Sequence, residues 1–505
     1  MPGTMLLPTI RKYLAPVLAL LLVAIVSAQT AIAGPWLDPG DTALREDLEL
    51  LSDAGVLSIP LTTWPISVSD VLGGMSGQRD PGVLSPSVQA AFNRIAARMQ
   101  TESNWGFANV RSGLAVADGP RRVRLFEETP RANSQFHASA EYTGERFAAR
   151  GKVTLAVNSP DDRSVWLDGT YLATILGNTS LSVGWEDRFW GPGWESALAL
   201  SNNARPVPGI AVRRNHAKAS TLPVLKWLGP WTARAFLGQL ESGRAVPDAR
   251  FVGMRVAFKP IPALEIGLTR TAQWGGEGRP DDLDSFFDLL IGRDNIGDDG
   301  ITAETEPGNQ MAGYDWRWRV KGGVRPIVFY GQLIGEDEAG GFPSRFLGQM
   351  GLSTSLPFGD SGASLHLYAE FSDTTCQFNE SSKLFDCAYN NGLYPSGYRY
   401  RGRSLGHSTD ADSRQVALGG SFRHKDGARS MVSVRFAELN RGGSELAPHS
   451  LTFAPADLLN VELSHERSLF NGRLSVGVGF DSAQSNANRL DGNDVRAFIQ
   501  WGDRI

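Results

Sequence analysis

Two rhythms of apolar and polar positions divide the chain. Between Asp41 and Met99 the apolar residues recur at steps of three and four, first Leu44, Leu48 and Leu51, then Val88, Phe92, Ile95 and Met99. Such steps place side chains on one face of a helix. Asp41 offers a capping oxygen to the first helix and Gly55 a stop; Ser85 followed by Pro86 starts the second. Both helices are too polar on their far sides for lipid, so their stripes are predicted to pack on each other or on the end of something larger.

From Trp105 onward the period changes to two. Leu474, Val476, Val478 and Phe480 alternate with Ser475, Gly477, Gly479 and Asp481, and Val495, Ala497, Ile499 and Trp501 alternate with Arg496, Phe498 and Gln500. Leu264 to Leu268 and Ala363 to Phe371 do the same. Alternation of this kind marks strands with one apolar and one polar face. Strands are predicted at 105–117, 134–143, 147–157, 169–176, 180–187, 209–216, 231–240, 250–258, 263–274, 312–321, 325–335, 346–356, 362–372, 413–423, 429–437, 458–468, 473–482 and 494–502. They number about eighteen, an even count, as single-chain bacterial barrels require.

The links between strands sort into two sets. Thr143 to Glu145, Lys259 to Pro262, Gly322-Gly323, Pro357 to Gly359, Lys425 to Gly427 and Asn471-Gly472 are short and fall on one side. Asp118 to Asn133, Arg188 to Pro208, Gly275 to Met311, Ser372 to Asp412 and Glu438 to Asp457 are long and fall on the other. Membrane barrels have short periplasmic turns and long outer loops, which fixes the expected orientation. Ala217 to Pro230 breaks the rule, being long on the short side. A soluble propeller or sandwich would show repeats of fixed period, and none is present.

The N-terminus sets the compartment. Arg11 and Lys12 precede an uncharged apolar run from Leu14 to Val26, and Ala31-Ile32-Ala33 fits signal-peptidase chemistry. Residues 1–33 are therefore expected to be a signal peptide, 34–103 a periplasmic helical segment capping the barrel, and 104–505 the transmembrane barrel. After Gly34 no apolar stretch reaches the ~18 residues that a membrane helix needs. The 56 Gly and 13 Trp with only 42% hydrophobic residues suit strands that face lipid on one side only. A formal net charge of -5 argues against nucleic acid as a partner. The two cysteines, Cys376 and Cys387, should pair in an oxidising compartment, since two cysteines without a nearby histidine pair make a poor zinc site.

The stretch GWEDRFWGPGWESALALSNNARP at Gly184 to Pro206, with PWLDPGDTALREDLELLSDAG and TTWPIS nearer the N-terminus, resembles the Wzi family of capsule assembly proteins. The likeness runs over nearly the whole mature chain, and WGPGW and SNNARP are its specific part. It implies an eighteen-stranded outer-membrane barrel closed at the periplasmic end by an N-terminal helical bundle. It also implies a lectin-like role, binding capsular polysaccharide at the cell surface and helping to anchor the capsule. The chain departs from many such barrels by ending in Ile505 and not in an aromatic residue.

Glycans are held by flat apolar faces for sugar rings and planar groups for hydroxyls or uronates. Trp185, Phe189, Trp190 and Trp194 supply the first. Glu186, Asp187, Arg188, Asn202, Asn203 and Arg205 supply the second, with arginine able to grip a carboxylate in bidentate fashion. Gly191-Pro192-Gly193 would turn the chain sharply between the tryptophans. The same segment suits a structural plug in the lumen equally well. A second candidate is the cysteine loop, with Tyr389, Tyr394, Tyr398, Tyr400, Arg399, Arg401 and Arg403; the alternative is a stapled lid. The acidic loop carries Glu277, Asp281, Asp282, Asp284, Asp288, Asp294, Asp298, Asp299, Glu304 and Glu306; it reads either as a calcium surface or as solvated chain, and its spacing matches no calcium loop.

No nucleophile elbow, zinc-binding helix or phosphate loop occurs, and adjacent Glu186 and Asp187 would point to opposite sides of a strand. The expectation is a non-enzymatic surface lectin without cofactor or metal. Its expected partners are capsular or exopolysaccharide, outer-membrane lipid and the barrel assembly machinery, and it is expected to be a monomer. A porin-like channel and a barrel hydrolase are the rival readings.

Overall fold

Alternation along each strand becomes a wall with two chemistries. On β3 (Phe147–Val157) Val153, Leu155 and Val157 stand exposed on the outer face, while Arg150 and Thr154 are buried in the lumen. The computed structural model describes residues 36–76, 84–291, 308–322, 325–339, 342–443, 448–485 and 492–502. The expected signal peptide, the terminal residue and the acidic residues Asp294, Asp298, Asp299, Glu304 and Glu306 lie outside the described residues.

The wall begins with β1 (Gly106–Ala117), β2 (Ser134–Thr143) and β3, then β4 (Tyr171–Leu176), β5 (Thr179–Gly184), β6 (Gly209–Arg214), β7 (Trp231–Gln239), β8 (Arg250–Ile261) and β9 (Leu264–Trp274). It continues through β10 (Gly308–Gly322), β11 (Arg325–Ala339), β12 (Phe342–Phe358), β13 (Ala363–Asp373), β14 (Arg414–Arg423), β15 (Arg429–Leu439), β16 (Ala456–Leu469), β17 (Gly472–Ser485) and β18 (Gly492–Gly502). Neighbours pair antiparallel in chain order, and β18 closes on β1 from Phe498 opposite Ala117 to Gly502 opposite Gly113. The barrel is an 18-stranded antiparallel one, as the alternation predicts. The stretch expected as a strand over 180–187 leaves the wall at Gly184, because the residues that follow turn inward.

Three helices precede the wall: α1 (Thr42–Asp53), α2 (Val68–Ser76) and α3 (Pro86–Glu102). Asp41 caps α1, its Oδ1 accepting the Leu44 N–H at 3.0 Å, and Ser85 precedes Pro86 at the start of α3. The stripes meet as the spacing requires, Leu44, Leu48 and Leu51 lying in one core with Val88, Ala91, Ile95 and Met99. The polar face of α1 is buried as well, because it enters the lumen and pairs with the wall. Arg317 of β10 holds Glu49 at 3.1 Å and Asp53 at 2.9 Å, and Arg429 of β15 holds Glu46 at 3.1 Å. The periodicity does not foresee α2, whose nine residues contain Gly73 and Gly74 and lack a strong start signal. No described helix is long and apolar enough to cross a membrane.

Two outer links do not stay outside. The link at 118–133 descends into the lumen, where the Phe126 ring meets Trp64 at 5.3 Å and Phe189 at 4.9 Å. The link between β5 and β6 also turns in, and its Phe189–Trp190 pairs as a short ladder with Thr63–Trp64. Chain from both ends of the barrel therefore meets in its middle.

Candidate functional site

The inward link carries most of the candidate residues, and each is placed by the wall around it. Glycine is required at Gly193, because a Cβ there would collide with the Ser196 carbonyl oxygen and the Gln349 amide. With the chain so close, Arg45 of α1 donates to the carbonyls of Pro192 at 2.6 Å and Gly193 at 2.7 Å, and its guanidinium lies 4.1 Å from the centre of the Trp194 ring. The N–H of Trp194 donates to Glu370 at 2.8 Å. Gln332 accepts the Leu198 N–H at 2.7 Å and donates to the Trp190 carbonyl at 2.9 Å. Such bonds answer the buried backbone groups of an irregular segment that would otherwise be costly.

The charged candidates in this link are mostly engaged within the protein. Glu186 is held by Arg213 at 2.5 Å; burial pushes its carboxyl up, but Arg213 and Arg188 outweigh that and hold it below the usual range. Arg188 packs its guanidinium 4.1 Å from the Phe236 ring centre. Asn202 donates to the Phe126 carbonyl at 2.8 Å and Asn203 to that of Ser404 at 2.9 Å. Arg205 grips Asp168 through two bonds of 2.8 and 2.9 Å and reaches Asp161 at 2.6 Å. Trp190 and Trp194 are buried, and Trp185 is half-buried with its backbone tied to Gly169 and Thr170. Asp187 differs: its Oδ1 is buried without a partner beside a luminal cavity of about 90 Å³, and burial pushes its carboxyl up to about 7. Glu186 and Asp187 thus serve separate surroundings and form no glycosidase pair.

The cysteine loop closes the outer mouth. Cys376 and Cys387 form the expected disulfide. The Tyr398 hydroxyl donates to the Ala199 carbonyl at 2.7 Å, joining lid to plug. Arg399 grips Asp410 through two bonds of 2.8 Å, and that guanidinium overcomes burial to hold the Asp410 carboxyl far below its usual range. Residues Arg399–Tyr400 and Arg403–Ser404 pair as a small hairpin; Arg403 is half-buried and donates to the Arg122 carbonyl at 2.9 Å.

The hairpin tip reaches a groove of about 900 Å³ on the outer rim. Arg401 and Tyr400 line one side, Asp162 and Arg163 from the β3–β4 link a second, and Gln239 at the end of β7 with Asp248 from the β7–β8 link a third. Arg401 lies 5.0 Å from the Tyr400 ring centre, and its backbone N–H donates to Glu241 at 3.2 Å. Arg244 fastens the β7–β8 link to the hairpin through the carbonyls of Arg399 at 3.1 Å and Gly397 at 2.9 Å. Asp162 and Asp248 hold left-handed backbone, with φ of 56° each, which turns the two links sharply at the groove. Sequence reasoning finds Tyr400 and Arg401 but misses the other walls, whose one signal is the turn-rich run Asn158 to Ser164. The described residues contain no cluster suited to hold a metal ion.

An antiparallel barrel with apolar outer faces, charged interior and a plug drawn from its own chain defines a plugged outer-membrane β-barrel. The family model described as "Capsule assembly protein Wzi" matches residues 113–497. The chain belongs to the Wzi family of capsule assembly proteins. Among solved structures it is similar to the Escherichia coli Wzi barrel, with a TM-score of 0.81 and 26% identity over 93% of this chain and 100% of that one. That protein is described as a carbohydrate-binding outer-membrane β-barrel involved in group 1 capsule assembly. A Klebsiella pneumoniae protein described as an uncharacterized 55.8 kDa protein in the cps region is 29% identical over 483 residues, covering 94% of this chain and 90% of that one.

Proposed function

We propose that the protein binds capsular polysaccharide at the cell surface, and that the rim groove bounded by Arg163, Asp162, Gln239, Asp248, Tyr400 and Arg401 is where the polymer lies. One observation carries this reading. The conspicuous aromatic and charged residues of the inward link are largely spent on holding the plug, whereas Asp162, Arg163, Gln239 and Asp248 stand exposed together on the rim, Gln239 donating to Asp248 at 3.0 Å. Planar groups of this kind bond pairs of sugar hydroxyls, and Arg163 and Arg401 also suit the carboxylate of a uronate. The described carbohydrate binding of the similar Escherichia coli barrel supports the same reading.

On this view Arg399, Glu186 and Arg205 build the walls, and the exposed Arg163 and half-buried Arg401 make the contacts. The test is retention of purified capsular polymer by the full-length protein in detergent. Replacing Arg163 and Arg401 together with alanine should weaken retention by about tenfold or more, the loss of one or two charge-assisted bonds. Undiminished retention by the double variant overturns the assignment of the groove.

A further inference from the structure

The long link on the short-turn side has a form of its own. Its neck closes where the Trp231 N–H donates to the Ala217 carbonyl at 3.0 Å, and Lys259 N–H to the Pro230 carbonyl at 2.9 Å. The Ala217 N–H is in turn held by Asp70 of α2. Between these anchors the chain makes a compact loop ending in a single 3-10 turn, Lys226–Leu228, and Gly229 at φ 63° turns it back into the wall.

The tip is apolar and uncovered. Leu222, Val224 and Trp227 are 61%, 79% and 61% exposed, with Leu225 beside them. Trp227 does not point into the barrel; its ring meets Phe258 edge-on at 5.5 Å, and Phe258 is on the outer face of β8, in alternation with the luminal Arg255 and Lys259. Arg214 lies over the outward Trp231 ring at 3.7 Å, continuing the same outer surface.

The wall is low at this place. β4, β5 and β6 have 6 residues each, against 17 in β12. Six residues tilted as barrel strands are rise only about 15 Å along the membrane normal, short of the ~25 Å apolar band that such barrels present. The loop emerges directly from the foot of β6.

We propose that the loop 218–230 is an interfacial anchor, its tip immersed in the periplasmic leaflet of the outer membrane, where it completes the apolar belt beneath the three short strands. The occupant of this surface is phospholipid. Its acyl chains cover Leu222, Val224 and Leu225, and Trp227 sits at headgroup level as girdle aromatics do. Lys218 and Lys226, both exposed, extend to the headgroup phosphates.

The two cysteines are paired, so Val224→Cys provides a single reactive thiol for a polarity-sensitive fluorophore. The full-length protein is placed in vesicles of phosphatidylethanolamine and phosphatidylglycerol, with labelled Asp162→Cys on the outer rim as the aqueous reference. The expected result is blue-shifted emission from position 224, quenched several-fold more by spin-labelled lipid than at position 162. Emission and quenching equal to the reference overturn the proposal. Adding Leu222→Asp and Trp227→Asp should return the emission to the aqueous value while the barrel keeps its resistance to unheated detergent. Emission that stays blue in that variant shows a pocket within the protein and also overturns it.

Discussion

Arg435 and Glu195 face each other across the lumen, the arginine carried by β15 of the wall and the carboxylate by the inward link. The guanidinium engages both carboxylate oxygens, one through Nε and one through Nη2 at 3.3 Å, and Tyr368 donates a third bond at 2.6 Å. Both side chains are fully buried, at 1% and 0% exposure. A pair so placed contributes more to where the plug sits than to how stable it is, because desolvating two charges offsets much of their attraction.

Removing one partner is therefore worse than removing both. Glu195→Ala leaves a buried guanidinium uncompensated and should cost about 3–5 kcal/mol. Glu195→Ala with Arg435→Met should recover a large part of that loss. The midpoint of heat-induced loss of the compact form in detergent gels measures both; equal losses for the single and double variants would remove the pair from its role.

A lumen crossed by Trp190, Trp194 and α1 should conduct poorly. Wild-type protein in planar bilayers is expected to show little or no steady conductance, and Arg45→Ala, which frees the carbonyls of Pro192 and Gly193, should bring frequent brief openings. Large steady currents from the unaltered protein would restore the channel reading.

Asp187 gives the plug a dependence on pH. Its carboxyl is raised to about 7 by burial, so between pH 4 and 7 the folded protein keeps a proton that the unfolded chain has lost. Stability contributed by this group is present at low pH, falls by up to about 1.4 kcal/mol per pH unit as pH rises through that window, and levels off above it. Asp187→Asn should remove that slope, read as the difference between wild-type and variant urea midpoints in detergent from pH 5 to 8. Parallel pH profiles for the two proteins would count against it.

The wall was legible because lipid reads it the same way along its whole length. Every outward position must be apolar and every strand must return through a turn, so Leu474 to Asp481 announces itself without knowledge of its neighbours. The plug was legible only as a motif. Whether Glu195, Glu186 and Arg205 bind a ligand or the protein depends on Arg435, Arg213 and Asp168, which lie on other elements, Arg435 as far as 240 residues along the chain. The groove was less legible still, since it is made of turns from three separate links. The link 118–133 shows the same limit: its length marks it as an outer loop, yet Phe126 finds its partners in the lumen.

The ladder between Thr63–Trp64 and Phe189–Trp190 ties an early segment to one more than a hundred residues later, and Glu46 waits for Arg429 near the far end. Early-made residues thus have their partners late, which makes this a fold rich in distant contacts. The helices gain these wall partners only once the strands that carry them are in place, so the stopper's seat is complete only when the wall is.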